Sequence, residues 1–268
     1  MNQYLLLLIL MTTQLFSIEN IKYKVKQNNE VSKVKFYIEN PMIGEEEAKR
    51  NHRKPEYITR IIIESKQQII YDILTSPNIS KNPMFKFHFN SKFYSDTMKL
   101  TTIDNKNKKV LNELAKDKIC NKWKISDTTI DHKDSLADKE IWSITNMNEA
   151  IKKFSKNEKI IYEENIKVTL PKRASDMSSV PMRIISNLKL ESIAIFQDKN
   201  KYSTVAIIKN PTYSLVDYSL RLNMNFGCDI NIVVIAKGKD GKVYRKDSLL
   251  TGLASDMNCD STSNGGGG

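Results

Sequence analysis

Apolar and polar residues alternate with period two through much of the chain. Ile21, Tyr23 and Val25 are interleaved with lysines, and Val34, Phe36 and Ile38 repeat the pattern before Pro41. One apolar face at this period is the mark of a strand in a half-exposed sheet. Apolar runs at Ile58–Ile63 and Ile69–Leu74, the alternation Phe85, Phe87, Phe89, and the series Met98, Leu100, Thr102 continue it. Several short strands with turn residues between them predict a β-sandwich of about a hundred residues over 18–110. Within it, Glu45–Lys54 (EEEAKRNHRK) reads as a solvated loop or hairpin tip, and Asp104–Lys109 as a turn before a last strand.

The alternation fades from 111 to 145. Lys and Asp dominate, Leu111, Leu114 and Ile119 are only roughly at helical spacing, and the segment reads as a linker anchored by Trp123 and Trp142. A short helix is predicted next, with Met147, Ile151 and Phe154 on one face. Strand patterns then return at Ile166–Leu170, at Val180, Met182 and Ile184 around Pro181, at Ile193 and Ile195, and at Val205–Ile208. Leu220, Leu222, Met224 and Phe226 alternate most clearly. Ile230–Ile235 and Val243–Tyr244 flank Asp240-Gly241, a strong hairpin-turn signal. The span 146–253 is therefore a second β-sandwich with a small helix at its start, and the fold class is all-β.

Charge changes this picture little. Forty-two Lys and Arg against thirty-one Asp and Glu give +11. The excess is mostly lysine scattered beside Asn and Ile, with no aromatic interleaving to stack bases, so nucleic acid is not an expected partner. A positive surface favours small anions or acidic proteins instead. The run Tyr4–Phe16 is too short to span a bilayer and fits the apolar core of a signal peptide over 1–17, cleaved after Ser17, with an uncleaved anchor as the alternative. No membrane span is then expected in the mature protein.

Candidate chemistry narrows to thiols. The sequence has no GxxxxGK[ST], GxGxxG or GxSxG, and His52, His88 and His132 do not cluster with cysteines at metal-ligand spacing. Neither a metal nor a cofactor is expected, and His52 and His88 are expected to face solvent. With no catalytic constellation, the chain does not read as an enzyme. Cys120, Cys228 and Cys259 make an odd number, so at least one stays free, pairs with another molecule or carries something. A Cys120–Cys228 disulfide would leave Cys259 free, the alternative for Cys228 being a buried small apolar residue. Cys259 lies in a tail, 254–268, that ends in Gly265–Gly268 and has too little apolar surface to offset the entropy of ordering it.

Certain local segments resemble a known pair of families. Asn40-Pro41-Met42 after a strand and Ser80–Phe87 (SKNPMFKF) are similar to corners of SoxZ; Ile166–Pro181 (IKVTLPKRASDMSSVP), Asp198–Asn200 and Tyr213–Leu222 are similar to SoxY. The resemblance implies two immunoglobulin-like sandwiches that pair with each other, here within one chain. It implies a periplasmic carrier of thiosulfate-derived sulfur-oxidation intermediates, held covalently on a C-terminal cysteine. The implied partners are a haem-containing loading enzyme, a sulfate-releasing hydrolase and a sulfur dehydrogenase. The family arm reads Gly-Gly-Cys-Gly-Gly, whereas Gly265–Gly268 enclose no cysteine and Cys259 stands six residues before them. Either Cys259 does the work from a shifted position, or the chain is a protein-binding module that no longer carries sulfur.

Overall fold

The computed structural model describes residues 21–115, 139–224 and 229–251. The expected signal peptide, most of the expected linker, the tail and all three cysteines lie outside the described residues.

In the first half, β1 (Ile21–Gln27) and β2 (Val31–Ile38) form a hairpin, followed by α1 (Glu45–Arg50). Next come β3 (Ile58–Ser65), β4 (Gln68–Thr75), β5 (Met84–Asn90), β6 (Thr97–Asp104) and β7 (Lys109–Ala115). The second half opens with α2 (Met147–Ser155) and a short β8 (Ile160–Tyr162). Strands β9 (Ile166–Thr169), β10 (Val180–Ser186), β11 (Leu190–Gln197) and β12 (Thr204–Lys209) follow. The described chain ends with β13 (Ser214–Leu222), β14 (Asp229–Gly238) and β15 (Val243–Thr251).

The two sandwiches share their sheets. One sheet has the order β1-β2-β5-β13-β10-β9 and the other β7-β6-β3-β4-β12-β11-β14-β15-β8. Each half thus contributes to both layers, and the halves join where β5 pairs with β13 and β4 pairs with β12, both antiparallel. The pairing of halves implied by the resemblance forms within this chain. One apolar cluster runs from Ile21 to Leu250 between the layers. The rings of Tyr71 and Phe87 stack there at 4.5 Å, and Tyr71 meets Tyr218 of the other half at 6.0 Å. Aromatic pairs of this kind add about 0.5–1.5 kcal/mol beyond the area they bury.

Helix α2 stands where the apolar spacing put it. Asn146 caps it by accepting from the Asn148 and Glu149 amides at 2.9 and 3.2 Å. Ala150 and Ile151 pack against Ala194, Phe196, Val233 and Ile235 on the outer face of the nine-stranded sheet. The Asp-Gly hairpin also forms: Gly241 takes φ 79°, and the Gly238 amide donates to the Lys242 carbonyl at 2.8 Å.

Three local expectations need correction. Glu45–Arg50 is a helix, because its acidic first turn and basic last turn match the helix dipole while Ala48, 1% exposed, seats it. Strand β7 runs to Ala115, into the segment read as linker, since Leu114 is fully buried and pairs with Met98. Strand β13 ends at Leu222, although the alternation of burial runs on to Met224, and Phe226 lies outside the described residues.

Candidate functional site

The candidate site is the end of β15, the last described strand before Cys259 in the sequence. Strand β15 ends at Thr251, and its Leu250 is fully buried. The loop after β9, Leu170–Asp176, clamps that end: Arg173 forms a parallel bridge with Thr251, and the Ala174 amide donates to the Thr251 carbonyl at 3.3 Å. Asp176 closes the loop by accepting from the Ser178 amide and hydroxyl at 2.9 and 2.6 Å. Lys172 and Arg173, both exposed, flank the exit. The segment PKRASD noted in the sequence thus fixes where the C-terminal residues begin. Cys259, and the possible partners Cys120 and Cys228, lie outside the described residues.

The two SoxZ-like corners lock each other. Asn82 accepts from the Asn40 amide at 3.1 Å and donates its own amide to the Asn40 carbonyl at 2.8 Å. Asn40 in turn accepts from the Met42 amide at 2.9 Å. Met42 and Asn82 sit at φ 52° and 51°, so side-chain amides brace a backbone that L residues rarely adopt.

The Asp198–Asn200 segment reaches across to the first half. Asn200 Nδ2 donates to Asn78 Oδ1 at 2.9 Å and to the Asn223 carbonyl at 2.8 Å. Asn78 Nδ2 donates to the Tyr202 carbonyl at 2.8 Å, and Ser76 donates to the Val205 carbonyl at 2.9 Å. Beside this network a cavity of about 380 Å³ opens between α1 and Tyr57 of one half and Trp142 and Tyr202 of the other. The amides of Asn78, Asn105 and Asn200 on its wall are committed to the fold.

A second cross-half contact was not anticipated. His88 is on the outward face of β5 but is largely covered: beside β13 of the second half its side chain is 14% exposed. Its Nδ1 lies within reach of Asp217, which also accepts Arg183 Nε and Nη2, both at 2.8 Å. Burial holds the His88 ring below the usual histidine range, against the pull of Asp217. Burial alone would raise the Asp217 carboxyl, but the Arg183 hydrogen bonds and the charges of His88, Arg183 and Lys86 bring it below the carboxylate range. Local sequence could not show this contact, since its partners come from opposite halves. His52 is exposed, as expected.

Among the described residues, no group of three or more His, Cys, Asp or Glu is placed to hold a metal ion. No described helix is long and apolar enough to cross a membrane.

Comparison with known proteins gives two family matches in one chain. Residues 21–115 match the family described as sulphur oxidation protein SoxZ, and residues 151–250 match the family described as sulfur oxidation protein SoxY. A search of the curated proteins found no match. Among solved structures, the sulfur carrier protein SoxY from Chlorobium limicola f thiosulfatophilum is 24% identical, with 40% of this chain and 94% of that chain covered and a TM-score of 0.35. A superoxide reductase (neelaredoxin) from Ignicoccus hospitalis is 10% identical over 34% of this chain and 81% of its own, with a TM-score of 0.30. The fibronectin(III)-like modules of Clostridium thermocellum CbhA are 8% identical over 87% of this chain and 93% of theirs, with a TM-score of 0.25.

Proposed function

The chain belongs to the SoxZ family through residues 21–115 and to the SoxY family through 151–250, and we propose that it is a periplasmic carrier that holds thiosulfate-derived intermediates covalently on Cys259. Its place in sulfur oxidation follows from the two families. One observation supports the finer reading: the SoxY-family body closes at a clamped Thr251, and a thiol follows beyond it in the same chain. The eight residues from Thr251 to Cys259 span at most roughly 26 Å when extended, enough to enter a deep partner cleft.

Loading joins the Cys259 sulfur to the sulfane sulfur of thiosulfate. The thiol loses its proton, and two electrons pass to a haem-containing partner, leaving a cysteine S-thiosulfonate. Water then attacks the sulfonate sulfur in a hydrolase, releasing sulfate and a proton and leaving a persulfide, which a sulfur dehydrogenase oxidises further. The chain itself catalyses none of these steps. Only the thiolate is nucleophilic, and Asp256 and Asp260 beside Cys259 oppose its formation. The positive charge that favours it therefore comes from the loading partner.

Intact mass of the purified protein, with and without reductant, tests this reading. Wild type should carry a reductant-removable sulfur-bearing mass that Cys259→Ala lacks. The same mass offsets in both proteins would rule out carriage and leave a protein-binding module, the reading favoured by the absence of cysteine among Gly265–Gly268.

A further inference from the structure

The two sheets present very different outer faces. On the nine-stranded sheet α2 covers part of the face, and charges occur in matched pairs such as Arg60 with Asp72 and Arg245 with Asp247. On the six-stranded sheet the charged outward positions are nearly all basic, with neutral and apolar residues such as Ser219, Ile185 and Leu215 between them. Strand register sets Lys24 opposite Lys35, and Lys35 opposite Lys86, so three lysines stand in one row across β1, β2 and β5. The next row is Lys26, Lys33 and His88. Beyond the junction of the halves, β10 and β13 add Arg183 and Arg221, and β9 adds Lys167. Asp217 is the one acidic residue in the outward positions of these six strands.

Like charges directly across a strand pair repel and destabilise the sheet. Burial followed by the neighbouring Lys33 pushes the Lys86 ammonium down, the same strain expressed as a titration. Protection of an exposed edge against strand addition explains lysines on β1, which is an edge. It does not explain Lys33, Lys35 and Lys86, which lie on interior strands.

We infer that this outer face, from Lys24 across to Lys167, docks the flat acidic surface of a second protein. The charge sign selects the partner's chemistry, and the neutral and apolar residues between the cations, Ser219, Ile185 and Leu215, the last 41% exposed, suit a protein surface of mixed polarity rather than a bilayer's layer of charged headgroups. Duplex or single-stranded nucleic acid would need stacking or groove-reading groups, and Tyr37 is the sole aromatic among these outward positions.

Position adds a consequence. Thr169, at the end of β9, pairs with Arg183, and the chain then runs through Pro171 to Arg173, which bridges to Thr251. The corner of the basic face is therefore joined by a short clamped loop to the root of the C-terminal segment. A partner seated on the face therefore lies beside Thr251, the last described residue of β15. The docking surface stands whether or not Cys259 carries sulfur, so its test is separate from the mass measurement.

The test measures binding of a fluorescent deca-glutamate peptide to the full chain. Its arms compare wild type with Lys33→Gln/Lys35→Gln/Lys86→Gln, and with a control of equal charge change on the other sheet, Lys99→Gln/Lys209→Gln/Lys237→Gln. The face variant should weaken binding about tenfold and the control less than about threefold, and wild-type affinity should fall steeply between low and physiological salt. Equal losses in both variants would mean that net charge alone binds the peptide, which overturns the proposal. Phosphatidylglycerol vesicles and duplex DNA are run alongside, and tighter binding to either, lost in the face variant, also overturns it. Thermal unfolding of both variants controls for folding, and relief of the lysine row should leave the face variant at least as stable as wild type.

Discussion

Nδ1 of His88 lies 3.1 Å from Oδ2 of Asp217 and 3.2 Å from the main-chain oxygen of the same residue. Both neighbours are acceptors, so this nitrogen carries a proton, and the lowered affinity of the buried ring for a second proton leaves the imidazole neutral near pH 7. One hydrogen-bonded pair thus ties β5 of the first half to β13 of the second. It lies inside the basic face, where burial first and then the charges of Lys86 and Lys33 oppose protonation of the ring, while Asp217 favours it.

Acid should lower the stability of the fold through His88. The folded state depresses the His88 pKa, so the unfolded chain takes up the proton first as pH falls through 6.5, the ordinary histidine value, and the neutral ring's contribution is lost toward the lower folded value. Asp217, also depressed, contributes above the ordinary 3.8 and loses that contribution at more acid pH. Unfolding by urea from pH 7.5 to 5 should show a falling midpoint, with a shallower slope in His88→Gln. A proton NMR titration placing His88 at or above 6.5 would contradict the argument.

Arg60 and Asp72 form a second, more deeply covered pair, with Nε to Oδ1 at 2.9 Å and Nη2 to Oδ2 at 2.8 Å. Their side chains are 7% and 5% exposed. Removing one partner strands a buried charge, so Asp72→Ala should lose about 3–5 kcal/mol by denaturant titration. Arg60→Met with Asp72→Leu should lose far less, because no charge then needs solvation. Equal losses in the single and double variants would show that packing, not charge burial, sets the cost.

Which elements the sequence made legible follows from how many faces each one buries. Strands β2, β5 and β13 bury one face against the layer opposite, and Val34, Phe85 and Leu220 fall on period two for that reason. The seam left a subtler trace. Val205–Ile208 is a continuous apolar run and Ile69–Leu74 one broken only by Asp72, as expected of central strands, but no local pattern says that β4 pairs with β12. Strand β7 was legible only as a last strand after the turn, without its extent, because Asn112 puts a polar residue at a buried position, and β8 escaped because three residues on a parallel edge carry too little pattern. The clamp on Thr251 was visible as a resemblance in PKRASD, while its backbone partners, distant in sequence, were not.

The turn at Gly241 offers a backbone test. Its φ of 79° is a conformation that L residues rarely adopt, and nothing lies within 4 Å of where a Cβ would stand. Gly241→Ala therefore isolates the backbone term, and should cost about 1 kcal/mol. Gly241→Asn, better tolerated in this region, should recover part of it. A neutral Gly241→Ala in thermal unfolding would mean the hairpin turn relaxes to another type.

The seam should hold without the covalent connection between the halves. Two strand pairings, the Tyr71–Tyr218 contact and the Asn78–Asn200 network all cross it. The chain connection raises the concentration of one half for the other to about the millimolar range, so it assists assembly more than it supplies contact energy. A specific protease site introduced between 120 and 135, once cut, should leave two fragments that co-elute in size exclusion at micromolar concentration. In Asn78→Ala two cross-seam hydrogen bonds are lost, while the Tyr202 carbonyl keeps Gln197 Nε2 and the Asn200 amide keeps the Asn223 carbonyl, so the cost is about 0.5–1.5 kcal/mol for each bond. After cutting, that variant should separate at a concentration roughly tenfold or more above the wild type's. Fragments of the uncut-stable wild type that part at once would show that the halves stay together only because one chain runs through both.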